Sequence, residues 1–171
     1  MAVLVSEGYV EVHAERHGVG RPNHRYALSA AGDALFPRSY SGYVQLVFRS
    51  MESREPGSTG AAIRAMFEDR AKHLRTRVAN PDLHKATLNL SPFLANNGFL
   101  PEVIPLDDGS CELHLLNCPV LDVARAFPDQ CRHELWYLGE LLDAQVERTA
   151  FRLDGDNVCA YRLARAGAAP L

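Results

Sequence analysis

Apolar and polar positions in the first 40 residues predict a short helix, a β-hairpin and a second helix. Residues 2–7 are typical of the end of a helix, and Gly8 is placed to terminate that helix in the left-handed conformation. Residues 9–16 alternate weakly between apolar and polar side chains, which predicts a strand. Residues 24–29 predict the returning strand beyond the turn GVGRPN, and Ser29 can cap the helix that follows.

Three longer helices are predicted in the middle of the chain. Apolar residues recur with helical spacing over residues 39–51, 60–79 and 82–99, and we expect the third helix to bend or break near Pro92. The first two helices each carry an apolar stripe that one small domain is not expected to cover. We therefore expect them to link the flanking domains and to form a homodimer. The stripes consist of Tyr40, Tyr43, Val44, Val47 and Phe48 in the first helix and of Ile63, Phe67 and Leu74 in the second.

The last third of the chain mixes strands with helices. Strand-like runs occupy residues 99–106, 111–118, 146–153 and 158–164, and helical pieces occupy residues 119–127 and 128–143. This order predicts a β-β-α-β-β unit, in which helices cover one face of a sheet. The predicted fold class is α+β, with a partial DNA-binding domain at 1–38, linker and dimerisation helices at 39–80, and a C-terminal sensor domain at 81–171.

Composition is that of a globular protein, with 171 residues of which 47% are hydrophobic and 23% charged. No apolar run approaches the length of a membrane span, and the N-terminus lacks a signal pattern, so we expect a cytoplasmic protein that does not bind membranes. Thiols are reduced in that compartment. The four cysteines are therefore expected to be packing residues, metal ligands or redox groups rather than disulfides.

The front hairpin is basic and the cysteines lie in an acidic region. Residues 1–100 carry 12 Lys and Arg against 9 Asp and Glu, whereas residues 101–171 carry 6 against 12. The hairpin with its flanking helices is typical of the wing of a winged helix, which contacts DNA beside the recognition helix. We expect four of its residues to contact DNA, and the alternative is a solvated surface hairpin. These residues are Arg16, Arg21, His24 and Arg25.

Three of the cysteines are predicted to converge. Cys118 precedes a helix that starts near Pro119, so the N–H groups at that helix start are expected to stabilise its thiolate. Cys131 lies on the inward stripe of the next helix, and Cys159 lies in the last strand. Their spacings match neither a zinc ribbon nor a ferredoxin run. Spacing alone leaves core packing as the alternative to a metal or cluster site.

The front of the chain resembles a family of bacterial winged-helix regulators. The resemblance covers residues 4–44, from EGYV through GVGRP to HRYALSAAGDALFPRSY, and includes a Y-x-L-[ST]-x-A-G run. Only about a turn and a half of helix precedes Gly8, so we expect the chain to start inside the recognition helix and to lack the helices before it. The residues of the run are Tyr26, Leu28, Ser29, Ala31 and Gly32.

The back of the chain resembles the sensor half of SufR-type iron–sulfur-dependent regulators, which repress the Suf cluster-assembly genes. The motifs are NCP-x4-VA-x-x-F-P-x-x-C-x-x-E, then D-x-x-VERT, then G-x-x-x-C-x-Y. The resemblance implies a homodimeric repressor that holds a [4Fe-4S] or [2Fe-2S] cluster through Cys118, Cys131 and Cys159.

The fourth iron ligand departs from the family pattern. Many members have a further cysteine in the stretch that reads DAQVER here, where Ala144 stands in its place. Glu134, one turn after Cys131, can face the same way and is a candidate. Cys111 is another, although its odd offset from Cys118 is expected to point it to the opposite sheet face.

Other functions are weaker interpretations of the sequence. There is no nucleophile motif, P-loop or GxGxxG, so we expect neither enzymatic activity nor a small-molecule substrate. One alternative is a winged-helix regulator that senses zinc or thiol oxidation without a cluster. Another is a sensory or scaffolding module that does not bind DNA.

Overall fold

The computed structural model describes residues 1–15, 23–36 and 39–165 and has an α+β fold with two antiparallel sheets. The helices are α1 (Ala2–Ser6), α2 (Ala30–Ala34), α3 (Tyr40–Arg54), α4 (Ser58–Val78), α5 (Leu83–Asn96), α6 (Leu121–Ala126) and α7 (Asp129–Leu142). The strands are β1 (Val10–Glu15), β2 (Asn23–Leu28), β3 (Pro101–Pro105), β4 (Cys111–Leu115), β5 (Gln145–Ala150) and β6 (Cys159–Ala164). None of the helices in these ranges combines the length and hydrophobicity of a membrane-spanning segment.

The chain divides into two compact units, residues 1–40 and 41–171. In the first unit, β1 and β2 form an antiparallel hairpin whose register runs from Val10 opposite Leu28 to Glu15 opposite Asn23. Gly8 ends α1 with a φ of 78°, as predicted. Its N–H donates to Val5 O, which satisfies a carbonyl that the helix end leaves unpaired.

Ser29 and Gly32 join the hairpin to α2. Ser29 Oγ accepts a hydrogen bond from Gly32 N–H at 3.0 Å, as predicted for a helix cap, and donates to Gly8 O at 2.6 Å. A Cβ at position 32 would lie 2.1 Å from Tyr9 O, so only glycine fits at this contact. Pro37 lies outside the described residues.

The second unit is a four-stranded sheet of order β3-β4-β6-β5, in which all neighbours are antiparallel. Along the chain, two strands, two helices and two strands follow one another as the pattern predicts. The buried side chains of α4, α5 and α7 form one core with those of β4 and β6. The helices therefore cover one face of the sheet.

α4 belongs to this core, which corrects the prediction that its stripe is left for a partner chain. Ile63, Phe67 and Leu74 are buried, and the ring of Phe67 lies 5.1 Å from that of Tyr137 on α7. α3 is different, because it contains no buried residue and exposes Tyr43, among others. Within the described residues, the second predicted stripe is covered, whereas the first is covered only in part, at Val44 and at Phe48, whose ring lies 5.3 Å from that of Phe127.

α5 continues through Pro92 from Leu83 to Asn96 instead of breaking there. Proline removes one hydrogen bond to the carbonyl four residues earlier, here that of Leu88. Both Leu88 and Pro92 are exposed, so water can satisfy that carbonyl. The opposite side of the helix remains buried against the core and holds the helix together.

Two leucines of α5 test the role of this core. Leu90 is completely buried, whereas Leu88 on the same helix is 44% exposed. We expect Leu90→Ala to lower the free energy of unfolding by about 2–5 kcal/mol, because a buried side chain is replaced by a cavity. Urea unfolding followed by circular dichroism measures this change. Leu88→Ala is the matched control and should change stability by no more than about 0.5 kcal/mol; equal losses in both variants would contradict the burial of this face.

Candidate metal centre

Cys118, Cys131 and Cys159 come from three different elements at one end of the second unit. Cys118 lies in the segment between β4 and α6, Cys131 in the first turn of α7, and Cys159 at the start of β6. Cys159 pairs with Leu115, the last residue of β4, so β6 begins where the chain leaves β4 towards Cys118. All three thiols are free.

The pKa values of Cys118 and Cys131 are raised chiefly by burial and also by neighbouring groups of the site. Burial raises the pKa of Cys131 to about 12, with smaller contributions in the same direction from Glu134, Cys118 and Cys159 and an opposing one from the guanidinium of Arg148. Burial also raises the pKa of Cys118, with smaller contributions from Glu134 and Cys159. The side chains are therefore neighbours.

The predicted stabilisation of a Cys118 thiolate by backbone N–H groups is present, but it does not lower the net pKa of the thiol. α6 begins only at Leu121, three residues after Cys118, and is six residues long. The N–H of Val120 lowers the pKa of the thiol, but burial outweighs it. Cys118 is accordingly a protonated thiol at neutral pH.

The cysteines do not form a finished site for a single ion. Within the described ranges, no group of three or more His, Cys, Asp or Glu side chains is arranged to hold one metal ion. The ligand atoms of one zinc ion must all lie about 2.0–2.3 Å from the metal. In a cluster the cysteines bind different irons, so their sulfurs lie farther apart than around one ion.

Cys111 lies far from this site, although not for the predicted reason. It is opposite Leu163, and Leu115 is opposite Cys159, so Cys111 and Cys159 are on the same face of the sheet. They stand four residues apart along the paired strands, which corresponds to about 13 Å. Cys111 is fully buried, and its Sγ lies 3.5 Å from Thr87 Oγ1.

Ala144, where many members of the resembling family have a cysteine, is also at the other end of the unit. It follows the last turn of α7, thirteen residues after Cys131, which corresponds to about 20 Å along a helix. It precedes Gln145, which pairs with Ala164. Ala164 is the last residue of β6, whereas Cys159 is the first. A cysteine at position 144 could not complete a site with Cys131 in this fold.

Glu134 lies beside the three cysteines, as the helical spacing predicts. It is partly buried, its carboxylate accepts a hydrogen bond from Tyr161 Oη at 2.7 Å, and burial raises its pKa. Tyr161 is completely buried on β6, two residues after Cys159. The hydrogen bond holds the Glu134 side chain against the sheet.

Arg148 is a site residue that the sequence analysis missed. Its guanidinium donates to Cys131 O at 2.6 Å and lies 4.0 Å from the ring centre of Phe151. Its Nε is buried and has no hydrogen-bond partner. Strand alternation could have found it, because position 148 faces the same side of β5 as the partly buried Val146.

The predicted DNA-contacting residues lie on the hairpin of the first unit. His24 and Arg25 are exposed neighbours on β2, opposite Ala14 and His13, and their side chains leave opposite faces of the hairpin. Arg16 and Arg21 lie outside the described residues.

No protein-family model matches this chain, and no curated protein matches it either. The resemblance to SufR-type regulators is thus an interpretation of the motifs in the sequence.

Glu134 should make stability depend on pH. Its pKa is raised on folding. Between the ordinary carboxyl pKa and the raised one, the folded protein therefore binds more protons than the unfolded chain. The free energy of unfolding consequently falls as pH rises through this range. Glu134→Gln removes this loss. We expect the variant to gain stability over wild type progressively from about pH 4 to pH 7, measured by urea unfolding of metal-free protein.

The matched control is Glu140→Gln, which replaces an exposed carboxylate on the same helix. Its stability relative to wild type should stay nearly constant over that pH range. A Glu134→Gln difference that is equally flat would contradict the burial of this carboxylate.

Proposed function

We propose that this chain is a cytoplasmic, DNA-binding transcriptional regulator of the SufR type, which represses Suf cluster-assembly genes and senses cluster supply through its C-terminal domain. One observation carries the proposal: Cys118, Cys131 and Cys159 come from a loop, a helix and a strand to one end of the domain, where Cys159 contributes to the raised pKa values of Cys118 and Cys131. The arrangement places three soft sulfur donors from three elements at one location, as a shared ligand site requires. We propose no catalytic role.

The donor set fits an iron–sulfur cluster. Thiolates are the usual ligands of such clusters. Cys118, Cys131 and Cys159 would hold the group, and Glu134 is the candidate for the remaining position. When bound, the cluster supplies sensitivity to oxidants and to iron availability.

The zinc and thiol-switch alternatives have less support. A reactive thiol needs a lowered pKa, whereas burial raises the pKa of both Cys118 and Cys131. A single zinc ion needs closely spaced ligands, and the described residues contain no such group.

The DNA-binding part of the proposal rests on the hairpin and on exposed apolar residues. His24 and Arg25 lie on the strand that returns from the basic turn. The first unit exposes the apolar side chains of Val12, Tyr26 and Leu28, which offer a surface for contact with a partner. In the second unit, the exposed apolar residues of α3 offer a surface for a second copy of the chain.

Cysteine substitutions test the cluster. After anaerobic reconstitution with iron and sulfide, we expect wild type to be brown, with visible absorption and stoichiometric iron and sulfide. Cys118→Ser, Cys131→Ser and Cys159→Ser should each lose most of the cluster, because a hydroxyl replaces a thiolate poorly. Iron and sulfide assays together with the visible spectrum measure the loss.

Cys111→Ser is the matched control, since it removes a buried thiol at the other end of the sheet. It should retain the cluster. Equal iron and sulfide in wild type and Cys131→Ser would favour the packing interpretation, and zinc without sulfide would favour the zinc alternative.

DNA binding is tested by fluorescence anisotropy with two duplexes, one from the promoter of Suf-type genes and one scrambled. At low salt, we expect the 171-residue chain to bind both weakly and alike, because hairpin cations contact phosphates rather than base edges. Arg25→Ala should weaken binding to both duplexes equally and reduce the slope of log affinity against log salt concentration by about 1.

The proposed homodimer is tested by light scattering, which should give the mass of two chains.

The control is Arg77→Ala, an exposed arginine on α4 of the second unit, which should leave DNA affinity unchanged. If Arg25→Ala bound DNA with unaltered affinity, the proposed contact between the hairpin and DNA would be contradicted. Absence of binding by wild type, together with a bound cluster, would favour the non-DNA-binding sensory module.

A further inference from the structure

Arg148 is a positive charge placed at the cysteine site, where it opposes the burial that raises the pKa of Glu134. It lies on β5 opposite Tyr161, on the helix-covered face of the sheet. In the described part of the chain, no carboxylate lies within 4.0 Å of its guanidinium. Glu134, the nearest acidic group of the site, is bonded to Tyr161 instead.

The position of Arg148 is held firmly. Its Nη2 donates to the carbonyl of Cys131, its plane covers the ring of Phe151, and the ring of Tyr161 lies 5.7 Å away. The Nε–H has no acceptor although it is buried. A buried donor without a partner costs about 1–3 kcal/mol, so this N–H can stabilise a further acceptor placed beside it.

We propose that Arg148 is the charge-balancing and positioning residue of the cysteine site: it offsets the negative charge of the three thiolates and their cluster. The inference rests on the proposed cluster-binding function and goes beyond it, because Arg148 is not a ligand. Metal binding removes three thiol protons and so adds negative charge beside the guanidinium. A partly buried anion next to a fixed cation is stabilised far more than one in water.

Two consequences distinguish this role from simple packing. Reduction adds a negative charge to the cluster, so a nearby cation favours the reduced form and raises the midpoint potential. Outer partners of metal ligands also affect retention, and their substitution typically costs 10- to 100-fold in metal affinity. Both effects depend on charge and should survive in a lysine variant.

The experiment compares full-length wild type, Arg148→Gln, Arg148→Lys and Arg162→Gln after anaerobic reconstitution. Arg162 is the matched control, because it is also a partly buried arginine with an unpartnered Nε, but it lies on β6 facing away from the helices and pairs with Asp108 at 2.6 Å. The readouts are iron and sulfide content, the midpoint potential from dithionite titration, and the rate of cluster loss to a chelator. Circular dichroism verifies folding.

We expect Arg148→Gln to have a more negative potential and to lose its cluster about 10-fold faster or more. Arg148→Lys and Arg162→Gln should stay close to wild type. If Arg148→Gln holds no cluster at all, retention by folded Arg148→Lys still supports the charge role.

Three results would overturn the inference. Wild-type behaviour of Arg148→Gln would show that the charge is irrelevant, and equal defects in both Arg148 variants would show that shape or hydrogen bonding matters instead. An equal defect in Arg162→Gln would indicate a general effect of net charge. If wild type itself bound no cluster, the proposed function would be contradicted. The iron and sulfide content of wild type tests this independently of the Arg148 variants.

Discussion

The packing of α7 between α4 and the sheet is the constraint on which the second unit depends. One face of α7 buries Tyr137, Leu138 and Leu141 in the common core. The first turn of the same helix carries Cys131, and the next turn carries Glu134. Because packing of its apolar face fixes the helix, α7 places the side chains of Cys131 and Glu134 near β6.

The charge of the buried cysteine site differs between its metal-free and metal-bound states. Without metal, burial raises the pKa of Cys118 and of Cys131 and so favours their protonated thiols, which the chain tolerates as small apolar groups. With metal, the same thiols must lose their protons, so the enclosed region becomes negatively charged. The burial that stabilises the empty state therefore opposes metal binding, and a nearby cation such as Arg148 reduces that opposition.

The two units differ in how much apolar surface they cover by themselves. The second unit encloses a continuous core from α4 to β6. The first relies on backbone pairing in the hairpin, the Ser29 cap and the close contact at Gly32, and it exposes most of its large apolar side chains. A large core makes the second unit the more self-sufficient of the two.

Local features of the sequence determined much of the fold. Helical and strand periodicity, the left-handed Gly8 and the Ser29 cap depend on residues close in the chain, and all were predictable. The position of Arg148 could also have been predicted, because strand alternation alone places it on the helix-covered face of the sheet.

Only the tertiary structure decided which apolar faces the chain covers and where distant residues meet. The stripes of α3 and α4 look alike in sequence, yet α4 packs on α7 while α3 carries no buried residue. The register of β4 with β6 put Cys111 on the same face as Cys159 but far from it, and the length of α7 carried position 144 away from Cys131. The raised pKa of Cys118 likewise follows from burial by residues remote in the chain. These outcomes depend on contacts between elements far apart in sequence, and no local pattern specifies them.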